Sequence, residues 1–236
     1  MASESILNNT PVMFFWSLIY FMVHYIENYK KAEIENLKWQ ANINEIELNK
    51  LKSQLNPHFM FNAMNSIRAL VEENPERAKE SITQLSNILR NTLTMGKNKV
   101  IPFDDELKIV KDYVGLESTR YEERLRVEFV IDPQSSNFSV PPLMLQTLVE
   151  NGIKHGISKL PEGGDLKVKT EVKGDVLHVN ISNSGQLNGR SSNGTGFGIK
   201  NSEQRLSLLY GNYASLKIYN SDDKHVQTEL IIPKLN

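Results

Sequence analysis

The chain has no cysteine among its 236 residues. Disulfides and cysteine-ligated zinc are therefore excluded, and a reducing compartment fits. Charge imbalance is also missing: 27 Lys and Arg stand against 28 Asp and Glu, a net charge of −1. No whole-chain field attracts nucleic acid, and direct nucleic-acid binding is not expected. There is no internal repeat, and no Gly-Lys-Ser/Thr ending that would make a Walker A loop. The length suits one or two compact domains.

Formal charge is absent from Ile6 to Ile26, and Val12 to Ile26 reads VMFFWSLIYFMVHYI. A spanning helix needs roughly 20 apolar residues. The run reaches that length only by including Asn8, Asn9, Thr10 and Pro11. Tyr20, His24 and Tyr25 lie where an interfacial belt would, and Lys30 and Lys31 follow. These features predict an N-terminal transmembrane helix over residues 1–29, at the plasma (inner) membrane, with the remainder of the chain in the cytoplasm.

Proline and glycine are missing again from Glu27 to Leu55. Within that stretch Ile34, Leu37, Ala41, Asn44, Leu48, Leu51 and Leu55 recur at alternating spacings of 3 and 4. This heptad seam predicts a parallel helix pair between two copies of the chain, with Asn44 setting register. Leu55 to Ile67, LNPHFMFNAMNSI, starts a new helix at Pro57. At about 100° per residue, Phe59, Met60, Ala63, Met64, Ile67, Leu70 and Val71 share one side. His58, Asn62, Asn65, Arg68 and Glu72 share the other, so His58 is expected on an exposed polar face. Asn74 caps and Pro75 opens a second helix with an Ala78, Ile82, Leu85, Leu89, Leu93 stripe, ended by Gly96. Two such hairpins make a four-helix bundle in a dimer.

A third helix runs from about Asp104 to Tyr121. Arg126–Ile131, Lys167–Val172, Val176–Ser182, Ala214–Tyr219 and Val226–Ile232 read as strands, with helices after Pro141-Pro142 and over Asn201–Leu209. The expected fold is mainly α followed by α+β, the latter one sheet covered by helices on one face. The expected organisation is 1–29, a helical coiled-coil and hairpin region 30–101, a helical linker 102–124 and an α/β sandwich 125–236.

Three segments carry chemistry. The helix LMLQTLVENGIKHGI is apolar nearly all round, yet holds Glu150, Asn151, Lys154 and His155 within little more than a turn. Burying them without partners is costly, so they are expected to line a pocket. An Asn carbonyl oxygen suits Mg²⁺, which keeps most of its waters and bridges phosphates. Asn183-Ser184-Gly185 ends a strand. Asn193 to Asn201, NGTGFGIKN, offers backbone N–H groups and a helix N-terminus to an anion.

The Pro-His segment and the order VENGIKHG, NSG, GTGFGIKN, EQRL resemble the LytS/YehU-like bacterial sensor histidine kinases. Glu106, Tyr113 and Arg120 match the linker pattern of that family. The three boxes resemble the N, G1 and G2 boxes of the Bergerat-type ATP-binding fold. The resemblance covers Leu51 to Pro233. It implies His58 as phosphoacceptor, ATP and Mg²⁺ as cofactors, and Asn151 as the metal ligand. Lys154, His155, Asn183 and Gly185 would contact nucleotide, with Gly194, Thr195, Gly196 and Gly198 over its phosphates. It further implies a homodimer and phosphotransfer to an aspartate of a response-regulator receiver domain, often one with LytTR-type output.

The sequence departs from the pattern at Asn183, where the family has Asp, at Thr147 for Pro, at Ile199 for Leu, and at His225-Val226 for Gly-Thr. His58 is followed by Phe59, not by an acid. Glu150, Asn62 or a further group is left to fix the imidazole tautomer. The alternatives to an active kinase are a catalytically weak partner that dimerises with an active one, and an ATP-driven conformational machine. Because charge-assisted hydrogen bonds are the stronger ones, Asn183→Asp is expected to tighten ATP binding.

Overall fold

The computed structural model describes residues 2–54, 57–95, 98–187 and 196–234. The chain divides into two units, residues 1–54 and 55–236. The first is one uninterrupted helix, α1 (Ala2–Gln54). Apolar side chains along it are exposed, among them Phe14, Phe21, Ile34 and Leu37. Among the described residues no helix is long and apolar enough to cross a membrane, so the expected transmembrane helix is not supported. The physical reason lies in the flanks. The dense apolar run stops at Ile26, where Glu27 and Asn28 follow, and Asn8 to Thr10 dilute it on the other side. Of the heptad seam, Ala41 and the side chains from Asn44 onward lie outside the described residues.

The second unit begins with α2 (Pro57–Glu73) and α3 (Pro75–Met95). Asn74 makes the turn between them. Its carbonyl accepts from Ala78 N, its Oδ1 accepts from Arg77 N at 3.1 Å, and its own N–H donates to Leu70 O at 2.8 Å. Pro75, with no N–H to satisfy, fits the first helical position. α2 buries Phe59, Ala63, Ile67 and Leu70. Each large member of that stripe stabilises by about 1.5–3 kcal/mol. Leu55, Asn56 and Gly96 lie outside the described residues.

α4 (Phe103–Tyr121) starts one residue earlier than expected and packs on both helices of the hairpin. Met64 and Val71, expected on the buried side of α2, are half or more exposed, together with Phe61. The buried stripe is narrower than the sequence suggests because α3 and α4 cover only one side of α2.

Two short strands, β1 (Ile101–Pro102) and β3 (Ser139–Val140), pair with each other. The main sheet comprises β2 (Leu125–Val130), β4 (Gly164–Lys173), β5 (Val176–Ser184), β6 (Ser215–Asn220) and β7 (His225–Pro233). Its order is β2-β4-β5-β7-β6. β2 pairs with β4 in parallel and the other pairings are antiparallel, so the sheet is mixed. Two ion pairs, Arg126–Asp165 and Lys167–Glu128, cross the parallel pairing. Alternate residues of β4 and β5, such as Leu166, Val168, Leu177, Val179 and Ile181, are buried. Phe103, Ile109, Leu145, Leu148 and Ile153 from the helices belong to the same core.

α5 (Met144–Asn151) does not continue as one α-helix to Ile157. It passes into a wider π turn over Gly152–Gly156 and then a 3₁₀ turn over Ile157–Lys159. Such widened turns re-aim side chains and recur at functional sites. α6 (Gly196–Tyr210) precedes β6 and is longer at its start than the sequence suggests.

Candidate active site

α5 is held at its N-terminus by a carboxylate from another helix. Leu143, just before it, takes a left-handed conformation with φ 61°. Its N–H donates to Glu106 Oε2 at 2.7 Å, and Gln146 N donates to Glu106 Oε1 at 3.2 Å. Glu106 is fully buried, and burial pushes its carboxyl up to about 7, against the lowering effect of those N–H donors. Thr147, standing where the resemblance expects Pro, turns its hydroxyl back to Leu143 O at 2.6 Å. Arg205 of α6 donates to Pro142 O at 2.8 Å, so the segment entering α5 is tied from two sides.

The four polar residues divide into two pairs. Glu150 and Lys154 line a cavity of about 380 Å³ against α2 and α4. His58 and Asn62 line it from α2, and Tyr113, Glu117 and Arg120 from α4. Asn151 and His155 instead line a pocket with Asn183, Val226 and Thr228 on the sheet side. One helical step of about 100° accounts for the difference between neighbours.

In the first cavity His58 is exposed, in keeping with its place on the polar face of α2. Asn62 Nδ2 lies 3.3 Å from its Nδ1 and 3.4 Å from its Nε2, one turn along the helix. Phe59, directly after His58, is buried, with its ring centroid 5.0 Å from that of Tyr113. An acid there would lie in the core. Of the two acids lining this cavity, Glu117 is only 4% exposed. Arg120 Nη2 is 3.0 Å from Glu117 Oε2, near enough to pair but out of line, so this buried oxygen accepts no hydrogen bond. Burial pushes the Glu117 carboxyl up to about 7. Arg120 opposes that and the Glu150 charge adds to it.

In the second pocket Asn151 Nδ2 is buried without a hydrogen-bond partner among the described residues. Burial, then Lys154 and Lys159, hold His155 below the usual imidazole range and therefore neutral near pH 7. Asn183 is buried, and its Nδ2 donates to Ser184 O at 3.0 Å. A side chain at Gly156 would strike Asn183 Nδ2 and Ser184 O, and one at Gly185 (φ 129°) would strike Gly156. Glycine is required here so that the turn and the strand end can touch. Gly185 lines an adjoining hollow of about 540 Å³ with His155 and His225. Gly196 opens α6, and Gly198 faces Thr147 of α5. Gly194 and Thr195 lie outside the described residues.

Residues 46–125, spanning α2 to α4 and hence His58, Glu106 and Glu117, match the histidine kinase family model. The chain is 36% identical over 208 residues to the sensor protein LytS of Staphylococcus saprophyticus, covering 83% of this chain and 35% of that protein. The chain is a homologue of the LytS sensor proteins over most of its own length. It is also 34% identical over 189 residues to a sensor histidine kinase/phosphatase LytS of Staphylococcus aureus, covering 74% of this chain and 32% of that protein. The chain thus spans about a third of the length of the curated relatives it matches. Among solved structures it is similar to the histidine kinase domain of a blue-light activated kinase from Erythrobacter litoralis. There the identity is 15%, the TM-score 0.46, and the cover 79% of this chain and 93% of that one.

In this LytS homologue two acids take places that sequence reasoning does not assign. Glu117 is one, although Tyr113, Glu117 and Arg120 recur at spacings of 4 and 3 along α4. Polar residues at helical spacing on a buried face are the available signal. Glu106 is the other, legible in the sequence only as part of a linker pattern. Its carboxylate satisfies two N–H groups at the start of α5, a contact that no spacing reveals across a separation of 37 positions.

Glu106→Ala is expected to destabilise the second unit by about 3 kcal/mol, since two buried donors lose their acceptor. The titration adds a second signature. The folded-state carboxyl near 7 lies above its ordinary 4.5. The stability it contributes is therefore full below pH 4.5 and is lost as pH rises towards and through 7. Denaturant unfolding at about pH 5 and about pH 7 should show a smaller difference in the variant than in the parent. An equal difference would mean that Glu106 does not titrate in this range.

Proposed function

We propose that the chain is the catalytic part of a two-component sensor kinase. It binds ATP with Mg²⁺, transfers the γ-phosphoryl group to His58, and passes it to an aspartate of a response-regulator receiver domain, in line with its LytS relatives. The observation that supports this most directly is the shared wall. One short helix and its widened turn present Glu150 and Lys154 to the cavity holding His58, and Asn151 and His155 to the pocket holding Asn183. An acceptor imidazole and a nucleotide could so face a single element from adjacent sides.

The residues suit the cofactors. Among the described residues Asn151's buried amide nitrogen has no hydrogen-bond partner, and an amide oxygen is a hard ligand suited to Mg²⁺. Among the described residues no cluster of three or more His, Asp or Glu could hold a metal alone, so the ion would depend on nucleotide phosphates and water. Mg²⁺ supplies charge neutralisation on the phosphates when bound. Lys154 is exposed on the cavity side and can meet the transferred group, while Asn62 orients the imidazole.

Dimerisation belongs to the same reading. Phe61, Met64 and Val71 on α2 and Ile82 and Leu93 on α3 are exposed by about half or more. A second copy would cover them in a four-helix bundle, and the heptad seam would pair with its own copy in the same dimer. No membrane attachment through residues 1–29 is included. A LytTR-type output of the regulator rests on family likeness alone.

The expectation for Asn183 is reversed by its surroundings. Its Nδ2 is committed to Ser184 O, which leaves Oδ1 as the acceptor for an adenine amino group. In Asn183→Asp one carboxylate oxygen would confront the Ser184 carbonyl. That variant is expected to weaken ATP binding about tenfold, the cost of an unmatched buried polar contact being on the order of 1–3 kcal/mol. Calorimetric titration of ATP into parent and variant checks this, and tighter binding in the variant would reject the amide assignment.

Incubation with γ-labelled ATP and Mg²⁺ tests the function itself. Acid-labile, base-stable label on the protein is expected. ATP binding without label would place the chain among non-catalytic partners, and free phosphate without label would make it an ATPase.

A further inference from the structure

The first turns of α2, around His58, hold no carboxylate. Its neighbours in the chain are Pro57 and Phe59, and the next residues on its face are Asn62 and Asn65. The groups around the cavity are therefore decisive. From α2 come His58 and Asn62, from α4 Tyr113, Glu117, Arg120 and Tyr121, and from α5 and its turn Glu150 and Lys154. Glu117 differs from the rest in being buried with an oxygen that accepts no hydrogen bond, the Arg120 cation beside it standing out of line. A buried acceptor with unused capacity needs an explanation.

We propose that Glu117 is the proton acceptor for His58 during phosphorylation. The inference rests on the kinase reading given above. In the step, the lone pair of one imidazole nitrogen forms the N–P bond. The bond from γ-phosphorus to its bridging oxygen breaks, and ADP leaves with that electron pair. The other ring nitrogen, now acidic, gives its N–H proton to the Glu117 carboxylate, which later releases it to solvent. Arg120 favours the ionised carboxylate before the step, against burial, and the Glu150 charge raises its basicity. A carboxyl held near 7 exchanges a proton readily at neutral pH.

The test uses the full chain, γ-labelled ATP and Mg²⁺. Glu117→Ala and Glu117→Gln should both slow labelling of His58 about a hundredfold or more. ATP affinity should stay within about twofold, because Glu117 does not line the Asn151 pocket. Added formate should restore labelling to Glu117→Ala, where the carboxylate site is empty, and not to Glu117→Gln, where it is filled. A rate within a few-fold of the parent in either variant overturns the proposal, as does a slow Glu117→Ala that formate leaves slow. Should Glu117→Ala fail to fold, Glu117→Asp replaces it: recovery with Asp but not Gln supports the role, and Gln equal to the parent overturns it. Absence of label on the parent itself overturns the kinase reading, and this inference with it.

Discussion

His58→Gln is expected to leave no acid-labile label on the protein while ATP still binds with the parent's affinity. Gln is close to His in size, but an amide nitrogen has no lone pair free to attack phosphorus. The ring is exposed and lies within hydrogen-bond distance of Asn62, a neighbour on its own helix, so the substitution should not disturb the fold. Its cavity lies on the Glu150 and Lys154 side of α5, and the nucleotide pocket on the Asn151 and His155 side. Binding and labelling should therefore separate cleanly. Label that persists at the parent's rate would move the phosphoacceptor elsewhere. Joint loss of label and ATP binding would mean that His58 supports the pocket rather than accepting phosphate.

Asn151→Ala carries the second large effect, on nucleotide binding. The variant loses the hard amide oxygen that α5 brings to the pocket. Mg²⁺-dependent ATP affinity is expected to fall about a hundredfold, equivalent to about 2.7 kcal/mol. Labelling should fall with it. Fold stability should not, because the side chain removed includes a buried donor without a partner among the described residues. Titration with and without Mg²⁺ distinguishes the roles. An equal loss in both would make Asn151 a shaping residue. Affinity within a few-fold of the parent would put the metal elsewhere.

Both predictions draw on residues that short-range sequence signals already mark. The Pro-His segment, the Asn74-Pro75 break and the glycines of the boxes are local signals. A ring that fixes φ, a side chain that caps a helix or a missing Cβ acts on its immediate neighbours. Burial on α2 is only half legible, since Met64 and Val71 carry the apolar pattern yet stay exposed. Hydrophobic periodicity states which face is available and not how much of it is covered. The transmembrane expectation is not supported for a related reason: the dense apolar centre is shorter than a span, and polar residues flank it.

By itself the sequence determined the helices, the alternating strands, the candidate phosphoacceptor histidine and the likeness to the LytS sensor proteins. Only the tertiary structure decided which polar residues meet. It set Glu106 beneath α5 and closed Glu117 into the cavity of His58. Periodicity fixes a side chain's direction relative to its own helix axis, whereas these pairings depend on how separate helices and strands pack. Burial and pairing, and with them the charge state of each acid, follow from that packing and from no local pattern.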